Sequence, residues 1–292
     1  MRPKEKLNTF FFLSPWIIIL FIFWLFPFVW SFVLSFKQYF VLTGKSQWVG
    51  LSNYLQLLKD QDFWTALKNT SFFVFGTIPF TTVSALILAV LVNQKIPLKS
   101  FFRAGFFLPS ITSLVVIALI FTNLYAKDGY LTFLCKLAGL SFPENGWLFS
   151  EKTALLSIMF MDVWVSIGYY MLLYLAALQA IPLELYESAD VFGANFFQKF
   201  RFITLPYLRP MTLFVVLINT IKSFQIFVEI FVMTKGGPLN STLTMVYLVY
   251  EQGLHKFQMG YASAIAYVLF LVILIFSFLQ MKFFGLTKSI GE

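Results

Sequence analysis

Three ionisable residues interrupt long apolar runs of the sequence: Asp162 lies in one run, and Lys222 and Glu229 lie in another. Such a side chain costs about 2.5–3.5 kcal/mol at the centre of a membrane helix on insertion scales, so we expect each to face a cavity or a charged partner. Carboxylate and ammonium groups can also hydrogen-bond the hydroxyl groups of a solute. The sequence therefore offers the chemistry of a solute pathway. The alternative is an ion pair between Asp162 and Lys222 that only fastens two helices.

Helical spacing places polar residues on one face of each of these two runs. At about 100° per residue, four residues of the second run fall within an arc of about 120°. These four are Asn219, Lys222, Gln225 and Glu229. On the first run, Asp162 shares a face with Ser166, Tyr169 and Tyr170. Two such polar stripes, facing each other on neighbouring helices, would line a pathway through a membrane.

The scarcity of cysteine and histidine excludes several kinds of chemistry. Cys135 and His255 are the only residues of their types, which leaves no intrachain disulfide and no cluster with metal-ligand spacing. One histidine also cannot build a His-Glu-x-x-His motif. The sequence contains no Gly-x-x-x-x-Gly-Lys-Ser/Thr loop, so it has no phosphate cradle for ATP hydrolysis. We expect a chain that is not an enzyme, with no catalytic or metal-binding residue.

The composition is typical of an integral membrane protein. Hydrophobic residues make up 59% and charged residues 12% of the 292 residues, and one soluble core could not bury the 39 phenylalanines. The net charge of +8 comes from basic residues scattered between the apolar runs. We interpret these residues as topology signals and as contacts with anionic lipid headgroups, and we expect no nucleic-acid partner.

Six apolar runs are long enough to cross a membrane as helices. We predict one all-α transmembrane domain over 1–292, with spans at about 10–36, 70–92, 104–125, 153–178, 211–233 and 261–284. Arg2, Lys4 and Lys6 precede the first span, and the positive-inside rule then places both termini in the cytoplasm. Proline inside the first span predicts a kink near Pro27.

The segments that join these spans differ in character. Residues 51–69 have helical spacing and predict an external amphipathic helix at the membrane surface, anchored by Trp48, Tyr54 and Trp64. Residues 127–147 are rich in turn formers and predict an external loop. A second external amphipathic segment is expected over 243–258.

A polar loop of about thirty residues, 179–209, separates the fourth and fifth spans. Pro182 can begin a helix, acidic residues favour its N-terminus, and Gly193 can end it. Two short helices that meet at Gly193 are therefore expected. The loop reads Glu187-Ser188-Ala189-Asp190-Val191-Phe192-Gly193, followed by Ile203-Thr204-Leu205-Pro206.

This pattern resembles the cytoplasmic coupling loop of ABC importer permeases, in which the family has Glu-Ala-Ala. Ser188 stands here at the first of the two alanine positions. Further short segments, in the same order along the chain, resemble the carbohydrate-uptake branch of maltose and multiple-sugar type. They are Asn53-Tyr54, Asp62-Phe63-Trp64, Phe107-Leu108-Pro109, Asp162-Val163-Trp164, Gly236-Gly237-Pro238 and Gly260-Tyr261-Ala262. Leu13-Ser14-Pro15 and Phe26-Pro27 resemble the first of its two permease subunits.

The resemblance implies a type I ABC importer permease fold, with a coupling helix that docks on a cytoplasmic ATPase and carries the stroke of ATP binding into the spans. The residues expected to serve this coupling are Glu187, Ser188, Ala189, Asp190, Gly193, Ile203, Leu205 and Pro206. On the solute pathway, aromatic side chains would pack against sugar rings and polar ones would bind hydroxyl groups. The residues expected there are Asp162, Trp164, Tyr169, Asn219, Lys222, Phe224, Gln225, Phe227, Glu229 and Tyr267.

The function implied by the resemblance is sugar or oligosaccharide import by alternating access across the bacterial cytoplasmic (inner) membrane. The implied partners are a second homologous permease, two ABC ATPase subunits, and an extracytoplasmic solute-binding protein. The chain itself would bind no cofactor, because ATP and Mg²⁺ would sit on the ATPases. Two alternatives remain: an ABC permease for a non-sugar solute, and an ion-coupled secondary transporter that uses Asp162, Lys222 and Glu229 as its charged path.

Overall fold

A computed structural model describes residues 12–41, 44–94 and 97–284 of the chain. Within these residues, five helices are long and apolar enough to cross a membrane. The number is six if a sharply bent pair of helices is counted as one further span. This agrees with the predicted all-α membrane architecture. The basic residues Arg2, Lys4, Lys6, Lys95 and Lys288, on which the predicted orientation partly rests, lie outside the described residues.

The chain divides into two compact units. Of the residues that the structure describes, the first unit holds those within 12–63 and 248–270, and the second holds those within 64–247 and 271–284. Two long helices each contribute residues to both units. They are α3 (Gln61–Asn93) and α13 (Met259–Phe283).

The first unit begins with helix α1, Phe12–Ser35. Its segment Leu20–Leu25 is π-helical and lies directly before Phe26 and Pro27. Proline has no backbone N–H and cannot complete the regular hydrogen-bond ladder, which favours such a local rearrangement. The departure from α-helical geometry therefore lies N-terminal to the kink expected near Pro27, and the kink itself stays a prediction.

A β-hairpin, absent from the sequence prediction, follows α1. Strands β1 (Lys37–Phe40) and β2 (Lys45–Trp48) are antiparallel, with Lys37 opposite Trp48. The Asn53 side chain, on helix α2 (Ser52–Lys59), donates hydrogen bonds to the carbonyls of Ser35 at 2.8 Å and Lys37 at 3.1 Å. These bonds tie α2 to the turn between α1 and the hairpin.

The expected surface helix over 51–69 is only partly correct. Helix α2 ends at Lys59, Asp60 is extended, and the Asp60 carboxylate accepts the N–H of Asp62 at 2.9 Å. This side chain provides a start for α3, which runs 33 residues from Gln61. Helix α3 therefore begins well before residue 70, where the second span was expected to start, and the boundary of the span itself stays a prediction.

In the second unit, the predicted third span, 104–125, consists of two helices and not of one straight helix. Helices α4 (Lys99–Ile111) and α5 (Leu114–Leu124) meet at an angle of 95°. Pro109 weakens the last turn of α4, and Thr112 leaves the helix with extended backbone. Ser110 stabilises the break, because its hydroxyl donates to the carbonyl of Val165 at 2.5 Å.

The predicted loop over 127–147 also contains regular structure. Helix α6 spans Tyr130–Leu137, and a 3₁₀ turn spans Trp147–Phe149. The N–H of Trp147 donates to the carbonyl of Tyr125 at 3.0 Å, which holds the two ends of this connection together.

Helix α7, Ala154–Gln179, agrees with the predicted fourth span and is the most buried of the candidate spans. The chain continues through α8 (Leu183–Val191), α9 (Phe196–Lys199), a π-helical stretch (Phe200–Thr204) and α10 (Leu205–Phe224). After a break come α11 (Val228–Met233) and α12 (Met245–Tyr250), which leads into a π-helical stretch (Glu251–His255) before α13. The expected external segment over 243–258 thus contains short helices.

Helix α7 packs closely against α4. A Cβ atom at Gly168 would overlap the carbonyl oxygen of Phe106, so only glycine permits this approach of the two backbones. The contact fixes α7, the helix that carries Asp162, relative to the bent pair.

Candidate functional site

Asp162, Ser166, Lys222 and Glu229 form one group, here called the polar cluster. Asp162 and Ser166 lie one turn apart on α7 and are both buried. The Lys222 ammonium, on α10, donates to the Ser166 hydroxyl at 2.9 Å and lies 3.9 Å from Oδ1 of Asp162. Ser166 also interacts with the Asp162 carboxylate. The ion pair considered from the sequence is therefore present, and Ser166 bridges it.

Glu229 joins this cluster because the fifth span is interrupted. Helix α10 ends at Phe224, and α11 begins only at Val228. The buried Glu229 carboxylate is close enough to the backbone N–H groups of Phe227 and of its own residue to interact with them. An interrupted helix leaves N–H groups unpaired, and inside a membrane they need such a partner. Glu229 is also close enough to Asp162 and Lys222 for direct electrostatic interaction.

The break contradicts the predicted single polar stripe on the fifth span. A continuous helix would place Asn219, Lys222, Gln225 and Glu229 on one face, but Glu229 lies on a separate helix. Asn219 is fully buried, whereas Lys222 and Gln225 are exposed. Asn219 accepts from the Ser223 hydroxyl at 3.4 Å, and Ser223 lies 3.3 Å from the hydroxyl of Thr77 on α3. Asn219 thus belongs to a buried polar seam between α3 and α10.

The aromatic residues predicted for the solute pathway are divided between several places. Trp164 and Tyr169 each expose 45% of their surface on α7. Trp164 lines a cavity of about 310 Å³ that α3 and α4 also border. Phe224 is buried against Phe276 with ring centroids 5.4 Å apart, and Phe227 stacks on Phe231 at 5.5 Å.

Tyr267 belongs to the first unit. Its ring packs against Phe28, Phe32 and Phe270, and its hydroxyl hydrogen-bonds the carbonyl of Phe28. Within the described residues this side chain is part of an aromatic cluster, and its role on a solute pathway stays a prediction.

The predicted coupling segment, residues 179–209, contains the expected helix turn at Gly193. Helix α8 begins after Pro182 and ends at Val191. Gly193 has φ +74°, its N–H donates to the carbonyl of Asp190 at 2.9 Å, and the N–H of Ala194 donates to Ala189 at 3.0 Å. This pair of bonds is a Schellman motif, which a left-handed glycine favours. Asn195 and Gln198 then form a capping box that starts α9.

Two helices flank Gly193, as expected, but the second one, α9, is very short and continues into the helices that follow. Together, Phe196–Met233 form one candidate span of 38 residues. Ile203 lies in its π-helical stretch, and Leu205 and Pro206 lie at the start of α10. The Tyr186 hydroxyl lies 2.9 Å from the Thr204 hydroxyl and links α8 to this stretch. The loop proper is therefore shorter than thirty residues.

The outward side of the segment is apolar as well as charged. Leu185, Tyr186 and Ile203 pack against the core of the unit, together with Leu178 and Met211. Glu187, Ser188 and Asp190 are exposed, and Ala189 is half-buried. Val191 exposes 86% and Phe192 exposes 89% of its surface, and Phe196 and Phe197 are also exposed. Lys199 pairs with Asp190 at 2.5 Å across the turn.

Sequence reasoning missed some of the roles of these residues. It placed Ser166 on the polar face of its helix with Asp162, but it did not predict the hydrogen bond from the Lys222 ammonium to Ser166. Phe192 lies inside the motif that the sequence analysis identified. Its apolar side chain next to Gly193 indicated that this surface could bind another protein. Cys135 is a free thiol on α6, and His255 lies 3.1 Å from the hydroxyl of Tyr250.

Comparisons with known proteins give a consistent result. Residues 81–284 match the family model described as "Binding-protein-dependent transport system inner membrane component". The arabinooligosaccharides transport system permease protein of Bacillus subtilis (strain 168) is 35% identical over 290 residues, which cover 99% of this chain and 92% of that protein. The lactose transport system permease protein of Rhizobium radiobacter is 34% identical over 287 residues, covering 96% and 95%.

The fold has a match among solved structures. A chain of a bacterial ABC transporter involved in the import of the acidic polysaccharide alginate superimposes with a TM-score of 0.84 over 96% of both chains, at 22% sequence identity. At that identity the likeness shows a shared fold.

Proposed function

Since the chain belongs to the inner-membrane components of binding-protein-dependent transport systems, we propose that it is the permease of an ATP-driven importer for sugars or oligosaccharides. The observation that carries this proposal is the similarity along almost the entire chain to permeases of arabinooligosaccharide and lactose transport systems. A permease for a non-sugar solute is the second candidate, but no feature of the described residues favours it.

The polar cluster is proposed to line the solute path. Lys222 and Gln225 are exposed on α10, and Trp164 and Tyr169 are exposed on α7. Exposed polar groups on one helix and exposed aromatic faces on the other suit a solute that combines hydroxyl groups with apolar ring faces. The buried carboxylates of Asp162 and Glu229 would then orient the ammonium of Lys222, and Asn219 and Phe224 would support α10 from behind.

The predicted coupling segment is proposed to dock on a cytoplasmic ATPase. Helix α8 is short, ends in a defined turn and is anchored to the core through Leu185 and Tyr186. Its free face presents Glu187 and Ser188 beside exposed apolar side chains, an arrangement suited to a protein partner. Since α8 leads directly into the fifth candidate span, displacement of α8 would move α10 and with it Lys222.

These parts give a mechanism of alternating access. Two ATPase subunits bind ATP and close, the coupling segments of this chain and of a second permease move together, and the spans open outward to accept solute from a binding protein. Hydrolysis restores the inward-facing state. In this arrangement α8 and both termini lie in the cytoplasm, the chain resides in the bacterial inner membrane, and ATP and Mg²⁺ stay on the ATPases.

The test is uptake by the complete transporter in proteoliposomes. The permease pair, its ATPases and its binding protein are reconstituted, and labelled arabino- and lacto-oligosaccharides are supplied outside with ATP in the lumen. We expect uptake that requires ATP and the binding protein. Uptake that persists without nucleotide and follows an ion gradient would instead support a secondary transporter that uses Asp162, Lys222 and Glu229.

A further inference from the structure

The charges of the polar cluster do not leave a free cation. Asp162 and Glu229 supply two carboxylates and Lys222 supplies one ammonium. The cluster carries one negative charge when both carboxylates are ionised, and none when one of them is protonated. In neither state is the cluster positive, although its exposed member is a lysine.

The ammonium is also held in place by its neighbours. Lys222 donates to the Ser166 hydroxyl at 2.9 Å, and Oδ1 of Asp162 lies 3.9 Å away. The Lys222 side chain is 47% exposed, whereas that of Asp162 is 5% exposed. A solute on the exposed side therefore meets a neutralised ammonium and not an isolated positive charge.

This ammonium keeps hydrogen-bonding capacity for a solute. A lysine ammonium has three N–H donors, and Ser166 is its one hydrogen-bond acceptor within the described part of the chain. The donors that remain suit neutral acceptors such as sugar hydroxyl and ring oxygens. An acidic solute would gain little from the compensated ammonium and would be repelled by the carboxylates behind it.

We propose that the polar cluster selects uncharged saccharides and rejects acidic ones, with Asp162 as the residue that sets this selectivity. Ser166 is the positioning residue, because it holds the ammonium and the carboxylate in register without needing to contact the solute. The inference rests on the proposed function, which places the cluster on the solute path.

The test avoids the selectivity of the binding protein because the competing sugar is supplied on the luminal side, where the binding protein is absent. Proteoliposomes that contain the complete transporter are loaded with ATP and with either a neutral trisaccharide or a uronate trisaccharide. Uptake of a labelled neutral oligosaccharide from outside is then measured against the luminal concentration. We expect the half-inhibitory concentration of the uronate to be about tenfold higher than that of the neutral sugar, because the net negative charge of the cluster repels the uronate.

Asp162→Asn removes one negative charge with little change in volume, and it should bring the two half-inhibitory concentrations close together. Glu229→Gln should act in the same direction and serves as the second variant if Asp162→Asn does not assemble. Asp128→Asn makes the same chemical change at an exposed site after α5 and should leave the ratio at the wild-type value.

Ser166→Ala should raise the KM for the neutral sugar more than it lowers the maximal rate, and Ser166→Thr should restore the KM. Wild-type protein that is inhibited equally by both sugars, or an unchanged ratio in both carboxylate variants, would overturn the inference while ATP-dependent sugar uptake continued. Absence of that uptake in the wild type would overturn the proposed function itself, and the inference with it.

Discussion

The polar cluster and the predicted coupling segment differ in whether their side chains find partners within the chain. In the cluster, each charged group has a neighbour within the chain: Lys222 lies beside Ser166 and Asp162, and Glu229 interacts with backbone N–H groups. In the coupling segment, the backbone is capped at the Gly193 turn and at the start of α9, but the side chains of Val191 and Phe192 are exposed. The charges of the first region are compensated within this chain, whereas the exposed apolar side chains of the second would be covered by the proposed ATPase.

This difference indicates how the two tasks of a transporter can be separated in one chain. A solute site must release its cargo, so its charges are best compensated internally and its hold on the solute stays weak. A coupling surface must transmit force, so it benefits from a rigid backbone and from an exposed apolar surface that binds a partner. Changes in the first region should alter solute handling, and changes in the second should alter association with the ATPase.

The largest effect is expected for Phe192→Ser. Its ring is exposed, so removing it should leave the stability of the isolated permease unchanged. If Phe192 is an anchor of the ATPase interface, the loss should be about 2 kcal/mol, or roughly thirtyfold weaker association. Co-purification and quantitative binding of the ATPase measure this. Phe133→Ser on α6 is the matched control, and equal losses in both variants would contradict the assignment.

Gly193→Leu should come next. Gly193 has φ +74°, and no atom lies within 4 Å of the position where its Cβ would be, so backbone strain and not a clash sets the cost. That strain is about 1–2 kcal/mol for a residue other than glycine, which would loosen the turn and reduce ATP-dependent uptake about tenfold. Gly193→Asn tolerates this conformation and should retain most of the activity. Uptake at the wild-type rate by the leucine variant would show that the Gly193 turn is not needed for coupling.

A smaller effect, confined to solute handling, is expected for Lys222→Met. The substitution removes the donor to Ser166 and leaves two carboxylates without a cation, so uptake should fall several-fold. ATPase association should stay at the wild-type value because the coupling segment is untouched. Uptake kinetics and ATPase binding on the same preparation check this. Unchanged kinetics with unchanged stability would exclude Lys222 both as a solute contact and as a needed ion-pair partner.

The smallest effect is expected for Lys199→Gln. Its ion pair with Asp190 has a short N–O distance of 2.5 Å, but the Asp190 side chain is 61% exposed. Such surface pairs contribute about 0–1 kcal/mol, because solvent and salt screen them. Thermal unfolding and uptake should both remain near wild type. A loss comparable to that of Phe192→Ser would show that the pair itself transmits the stroke.

The sequence predicted the elements that depend on composition and missed those that depend on tertiary contacts. The apolar run over 153–178 and the glycine turn at Gly193 were both visible, because hydropathy and the conformational freedom of glycine are local properties. The break of 95° after Ile111 was not, since it needs Ser110 to reach the carbonyl of Val165 on another helix. Pro109 gave a hint of a kink but not of its size.

The same limit applies to the candidate site. Asp162, Lys222 and Glu229 stood out as charges in apolar runs, and the structure brings them together. The helical stripe failed because a 3.6-residue period assumes an unbroken helix, whereas the chain is interrupted between Phe224 and Val228. No glycine or proline marks that interruption. The role of Glu229 beside the backbone N–H groups at the break was visible only in the folded structure.

Cysteine cross-linking tests the division of tasks most directly. In a Cys135→Ser background, which removes the one native cysteine, Phe192→Cys and Gln225→Cys each place a single thiol on an exposed position of one region. A short bifunctional reagent that joins the thiol to surface lysines is applied to the assembled, transporting complex. We predict that Phe192→Cys cross-links to the ATPase and that Gln225→Cys does not. An active complex in which Gln225→Cys alone reaches the ATPase would contradict the account.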